Sequence, residues 1–235
     1  MASEGAVGAA LPKILIAIPS ISGQVSVHLA SFLNKIGKAG VDAILVSGVY
    51  PRDYARNRLS LHFLAGDWEW LWWIDADMRP NVSTADVLNW LGHGDVVTTY
   101  TNALRLTPET VRLFIPTMAL ETKDEEGKDA WLTVSGANKE TCTVEGVGFG
   151  CTLIHRKVLE DKRVWASPDA IFRDKLSPSG EVAETEDLVF SRLARRAGYT
   201  LVYVPSATCG HEKMLDICDV NTWINKRIDE QRKTG

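Results

Sequence analysis

Trp68-Glu69-Trp70-Leu71-Trp72-Trp73-Ile74-Asp75-Ala76-Asp77 is an aromatic, apolar run that ends abruptly in two carboxylates separated by one small residue. A short run of bulky apolar residues reads as a buried strand. Carboxylates at the end of a buried strand cost free energy unless something pairs with them. In open α/β sheets the carboxyl ends of the strands are where ligands bind. The run therefore predicts a strand that delivers Asp75 and Asp77 to a site. Residues two apart in extended chain point the same way, so this spacing predicts both carboxylates facing one cation. The plainer reading of Asp-x-Asp is a polar turn, a pattern common by chance, and the rest of the chain decides between the two.

Upstream, residues 13–18 read as a first strand, stopped by Pro19-Ser20. Residues 24–38 place Val25, Leu29, Phe32, Leu33 and Ile36 at helical spacing, with Gly37 and Gly40 as the stop. Residues 41–46 read as a second strand and 54–64 as a second helix, with Arg56, Asn57 and Arg58 near its start. Strand–helix–strand–helix–strand is the pattern of a parallel sheet with right-handed crossovers. The first strand–helix junction, Pro19-Ser20-Ile21-Ser22-Gly23, has neither G-x-G-x-x-G nor a P-loop.

Downstream, Pro80 breaks the chain, Ser83 is placed to cap a short helix through Leu91, and residues 95–100 form a strand. Residues 121–129 read as a charged loop, with strands at 131–134 and 141–144. Gly146-Val147-Gly148-Phe149-Gly150 is either a bend where backbone packs closely or one that lets a ligand approach the backbone. A strand at 151–154 and a short helix at 156–160 follow. Thr185-Glu186-Asp187 opens a helix whose apolar face holds Val189, Phe190, Leu193, Ala194 and Ala197, and Gly198 ends it. Taken alone, that acidic opening suits a Thr cap and the helix dipole. A strand at 200–204 is expected to end at Pro205, before Gly210-His211-Glu212, and residues 219–233 read as a charged helix.

The bulk numbers are those of an ordinary globular chain. Of 235 residues, 45% are hydrophobic and 24% charged, enough for a sizeable core. A net charge of −4 announces neither nucleic acid nor an anionic membrane. Cys142, Cys151, Cys209 and Cys218 form no C-x-x-C pair, which argues against structural zinc and for reduced thiols in a cytoplasmic protein. No run has the length of a transmembrane helix, and the first residues lack the pattern of a signal peptide.

The order of these features resembles the GT-A-fold glycosyltransferases, nucleotide-sugar-dependent and family 2-like. Ile18-Pro19-Ser20 is similar to their nucleotide-binding opening, and Ile74-Asp75-Ala76-Asp77 to their DxD motif. Residues 146–154 resemble the glycine-rich acceptor-side segment, and Thr185-Glu186-Asp187-Leu188 with Gly198 the ED motif and its helix. His211 falls where many members place a further metal ligand. One departure is Ser47-Gly48-Val49-Tyr50, where many members carry a base-contacting acid.

The resemblance implies a Rossmann-like, mostly parallel sheet flanked by helices, with a small acceptor-side subregion. It implies a lead at 1–12, one catalytic domain at 13–215 (nucleotide-binding half 13–102, acceptor half 103–215), and a C-terminal helix at 216–235. The activity implied is metal-dependent transfer from a nucleotide-diphosphate sugar, a UDP-sugar by family frequency, to an acceptor hydroxyl on a glycan, a small molecule or, less favoured, modified nucleic acid. Asp75, Asp77 and His211 form the metal set for Mn2+ or Mg2+, with Asp75 also placed for the ribose or a metal-bound water. Pro19, Ser20, Arg56, Asn57, Asp75 and Gly148 face the nucleotide sugar. Asp187 is the expected general base of an inverting reaction, with Glu186 second. Two rivals stand beside this: a nucleotidyltransferase, for which the first loop is insufficiently basic, and a silent nucleotide-sugar-binding module. Arg156, Lys157, Lys162, Arg163, Arg173 and Lys175 are either scattered surface charge, the favoured reading, or an anionic-acceptor patch.

Overall fold

The computed structural model describes residues 12–38, 40–47, 51–101, 103–106, 111–114, 118–123, 125–127, 129–133 and 140–211. The expected lead up to residue 11, the segment 48–50 and the C-terminal helix lie outside them.

The first half alternates as expected: β1 (Ile14–Ser20), α1 (Val27–Gly37), β2 (Asp42–Ser47), α2 (Arg52–Ala65) and β3 (Trp70–Ile74). Then come β4 (Met78–Pro80), a 3-10 helix (Thr84–Trp90), β5 (Val96–Thr101), β6 (Ala103–Leu106), β7 (Val111–Phe114), β8 (Ala119–Lys123), β9 (Asp129–Thr133) and β10 (Cys142–Thr143). The chain continues through β11 (Cys151–His155), α3 (Arg156–Glu160), a one-turn 3-10 helix (Lys162–Val164), β12 (Lys175–Leu176), β13 (Val182–Glu184), α4 (Glu186–Arg196) and β14 (Leu201–His211).

The main sheet runs β10-β14-β5-β11-β3-β1-β2, with β4 paired on β14. β1 is parallel to β2 and β3, and β14 to β5, whereas β11 runs antiparallel between β3 and β5. The sheet is thus mixed and mostly parallel. All five residues of β3 are buried because helices cover both faces. Leu71 and Trp73 pack with Leu59, Phe63, Val158 and Phe190, while Trp70, Trp72 and Ile74 pack with Leu29, Phe32, Ile36 and Val87. The period-2 alternation of side chains divides one apolar run between two cores.

Local chemistry fixes the helices that reach the site. The Ser26 hydroxyl caps α1, accepting from Leu29 N at 3.0 Å. Pro51 stands at the start of α2, where a missing N–H costs nothing. At the other end of α2, the Arg156 guanidinium donates to the carbonyls of Phe63 and Leu64 in the last turn and of Gly66 and Trp68 just beyond it.

Three expectations are corrected. Residues 121–129, expected as a loop, contain parts of an antiparallel hairpin in which β8 and β9 pair Ala119 with Thr133 through Lys123 with Asp129. Ser83 makes no capping bond; its hydroxyl donates to Asn81 Oδ1 instead. Pro205 does not end the last strand. The register of β14 against β5 shifts between Val204 and Thr208, a bulge that accommodates the proline, and the strand runs on to His211.

Candidate active site

The DxD segment is a turn, not an extension of β3. Asp75 N donates to Gly150 O at 3.0 Å, and Met78 N donates to Asp75 O at 3.0 Å, closing the chain over Ala76 and Asp77. The two carboxylates line one cleft but take different partners. Asp75 Oδ1 accepts from Arg56 Nη2 at 2.9 Å. Asp77 Oδ2 lies 2.7 Å from His211 Nε2. The antiparallel pairing of β4 on β14, His211 against Met78, brings this second pair together.

Behind the turn lies a buried ion cluster. Arg56 is 1% exposed, held between the Trp73 and Phe149 rings, with its guanidinium carbon 5.0 and 5.3 Å from their centroids. Its Nε donates to Glu186 Oε1 at 3.0 Å, and Arg52 Nε lies 2.9 Å from the same oxygen. Burial pushes the Arg56 pKa down, but the charges of Asp75 and Glu186 overcome it and the net shift is upward. Burial likewise pushes Glu186 up, and Arg56 and Arg52 overcome that, so its carboxyl lies below its ordinary range. A buried carboxylate held ionised by two guanidiniums is a poor proton acceptor, which removes Glu186 as second choice for the base. Arg56 is likewise not a nucleotide contact: it spans the DxD turn and the acidic opening of α4.

Asp187 has a different environment. Its Oδ1 accepts from the Thr185 hydroxyl and from Leu188 N at 2.9 Å. Burial and the neighbouring Glu186 charge push its pKa up to about 6. The amide of Glu186 is capped by Asp174 Oδ1 at 2.8 Å rather than by Thr185. Burial, and then the Glu186 charge, also raise the Asp174 pKa. Two neighbouring acids in α4 with opposite shifts are the pattern expected where one holds geometry and the other moves a proton.

A cleft of about 610 Å³ opens at the carboxyl ends of β1 and β3, lined by Pro19, Ser20, Ile21, Ser22, Pro51, Arg52, Ala55, Asp75, Ala76, Asp77, Asp174 and Val182. Four residues expected at the site, Pro19, Ser20, Asp75 and Asp77, line it. Arg52 and Asp174 line it without having been singled out in the sequence, where one looks like a helix start and the other like a loop acid.

Asn57 and Gly148 do not line the cleft. Asn57 donates to Phe172 O at 2.7 Å and accepts from Ile171 N and Phe172 N at 2.8 and 2.9 Å, so its amide pins a loop. Asn57→Ala is expected to cost about 1–3 kcal/mol by leaving those amides unpaired, with nucleotide affinity unchanged; urea denaturation beside a binding titration checks both. Gly148 O accepts from Thr152 Oγ1 at 2.8 Å. In the same segment a Cβ on Gly146 would meet the Trp131 ring at 2.8 Å, as the close-packed bend requires. Five of the six basic residues singled out in the acceptor half are taken up individually: Arg156 by the end of α2, Lys157 by Asp95, Lys162 by the Trp165 ring, Arg163 by Asp161 and Arg173 by Asp169.

Asp77 and His211 fit a divalent cation: one hard oxygen, which lines the cleft, and one imidazole nitrogen 2.7 Å from it, outside the lining, form a donor set that suits manganese. Among the described residues no three His, Cys, Asp or Glu side chains cluster as a complete metal site, so this pair would leave further positions to ligand oxygens or water. Asp75 is tied to Arg56 rather than grouped with them.

No protein-family model matches the chain, and no curated protein matches it. Solved structures do. A197 from STIV aligns with a TM-score of 0.55 at 20% identity, covering 86% of each chain. GalNAc-T7 with UDP, GalNAc and Mn2+ aligns with a TM-score of 0.52 at 12% identity, covering 88% of this chain and 44% of that one. The inositol-1-phosphate CTP transferase from T. maritima aligns with a TM-score of 0.45 at 12% identity, covering 92% of this chain and 94% of that one. The mixed, mostly parallel sheet flanked by helices is the GT-A glycosyltransferase fold. No helix among the described residues is long and apolar enough to cross a membrane.

Proposed function

We infer that the chain is a glycosyltransferase that moves a sugar from a nucleotide-diphosphate donor, a UDP-sugar on the resemblance, to an acceptor hydroxyl. The observation that carries this reading is the cleft: Pro19 and Ser20 at the end of β1, the carboxylates of Asp75 and Asp77 after β3, the Asp77–His211 pair at 2.7 Å, and the ion cluster that ties Asp75 to the acidic start of α4. Asp77 and His211 hold the metal, which supplies Lewis-acid neutralisation of the diphosphate's charge. Pro19 and Ser20 border the nucleotide. Residues 13–102 form the donor half and 103–215 the acceptor half of one catalytic domain in the cytoplasm, with Cys142, Cys151 and Cys209 as free thiols.

Asp187 takes the proton of the acceptor hydroxyl as that oxygen attacks the anomeric carbon, and the bond to the β-phosphate oxygen breaks with its electron pair on the phosphate. The base works ionised, so activity is lost as pH falls through about 6, the Asp187 value. The kcat/KM profile is expected to rise with pH to a half-maximum there. Asp187→Asn should lower kcat by about a hundredfold or more and remove that limb. The raised pKa also means that the folded state binds this proton more readily than the unfolded one, so this group's contribution to stability falls as pH rises towards 6.

The direct test is a panel of nucleotide sugars with manganese, assayed for release of nucleoside diphosphate with and without candidate acceptors. Release from one donor supports the reading, and inversion at the anomeric carbon by NMR supports the base. Retention removes the base role. Pyrophosphate release from a nucleoside triphosphate instead makes the chain a nucleotidyltransferase.

A further inference from the structure

We propose that Arg52 binds the β-phosphate of the donor and stabilises the diphosphate as it leaves the cleft that Arg52 and Asp77 both line. This rests on the donor reading above and adds a residue to it.

The charges in the cleft demand such a group. Its lining residues include three carboxylates, Asp75, Asp77 and Asp174, and one cation, Arg52. Asp75 is neutralised from behind by Arg56, which is buried and does not reach the cleft. A diphosphate entering this space meets net negative charge, and the leaving group gains a further charge on the β-phosphate oxygen when the glycosidic bond breaks. One metal held by Asp77 and His211 does not compensate all of it.

The geometry of Arg52 suits the task. Its Nε is fixed at 2.9 Å on Glu186 Oε1, and Glu186 is 1% exposed and itself fixed by Arg56. The Arg52 side chain is 52% exposed, and its terminal nitrogens find no partner among the described residues. A guanidinium held by one edge while the rest faces a ligand cleft is preorganised for phosphate oxygens. Arg52 and Arg56 stand one helical turn apart on α2, so a single buried carboxylate orients both. This gives Glu186 a role: it holds Arg52 in place, a positioning residue rather than a base. A lysine at 52 carries its three donors on one nitrogen, so it lacks the separate edge that lets a guanidinium hold Glu186 by Nε and present its terminal nitrogens to a phosphate.

The test is calorimetric titration of wild type, Arg52→Gln and Arg52→Lys with UDP and with UMP, each with manganese, and with manganese pyrophosphate, which needs no choice of base. Arg52→Gln should weaken UDP and pyrophosphate about 10- to 100-fold, the value of a charge-assisted pair, while UMP changes by less than about threefold. Arg52→Lys should not restore UDP binding. Retained UMP binding shows that the variant's site is folded. Equal losses for UDP and UMP, or UDP binding unchanged in Arg52→Gln, overturn the proposal while leaving the donor reading intact. Wild type that binds none of the three probes removes both.

Discussion

Asp77→Ala is expected to lower turnover by about a thousandfold or more, since a divalent cation at a departing diphosphate contributes several kcal/mol to the barrier. Asp77 lies on a turn with its side chain 43% exposed, so its removal costs the fold little. What it removes is the hard oxygen beside His211, 2.7 Å away, leaving one imidazole that cannot hold the cation alone. The same variant should lose any stabilisation by nucleoside diphosphate that depends on manganese. Donor-hydrolysis kinetics and thermal denaturation read the two effects separately. A variant with near-normal turnover would show that Asp77 is merely a turn residue.

Arg56→Ala should have the largest effect on stability, about 3–5 kcal/mol, because it leaves a void beside Asp75, which loses its guanidinium, and buried Glu186, which keeps only Arg52. Arg56 is among the largest fully buried side chains, and Asp75 and Glu186 both depend on it. For a chain of this size that loss lowers the melting temperature by roughly 10 °C or more. Arg56→Lys keeps the charge but cannot span two acids, so it should recover only part of the loss. A melting temperature unchanged in Arg56→Ala would mean that the cluster contributes no stability. The contrast with Asp77→Ala is informative: one variant spares the fold and abolishes chemistry, the other strikes the fold that positions the chemistry.

The sequence announces β3 because an aromatic run ending in carboxylates has a local signature, and α4 because its apolar positions repeat at helical spacing. Asp75 and Asp77 are found at the cleft for that reason, and Pro19 and Ser20, read through the resemblance at the end of the first strand, line it with them. The contacts that organise the site are not local. Arg56 meets Glu186 across 130 residues, and His211 meets Asp77 across 134. No periodicity records such pairings; His211 was legible as a ligand candidate from its place after a strand and from the resemblance, and the burial of Arg56 not at all. The same limit explains Asn57, which as a residue near a helix start looks like a ligand contact and is spent on the Ile171–Phe172 backbone. Pro205 misled for a different reason: proline is a strand-breaker on average, and a bulge in β14 is what lets this strand carry on to His211.

The central claim is that this cleft binds a nucleoside diphosphate through a metal held by Asp77 and His211. Thermal denaturation with UDP, GDP, CDP and TDP, each with and without manganese, tests it most directly. Ligand at a hundredfold its dissociation constant stabilises by about 2.7 kcal/mol. The account predicts that one diphosphate raises the melting temperature only with manganese, and that Asp77→Ala abolishes the rise. No stabilisation by any diphosphate, or the same stabilisation without metal, would contradict it.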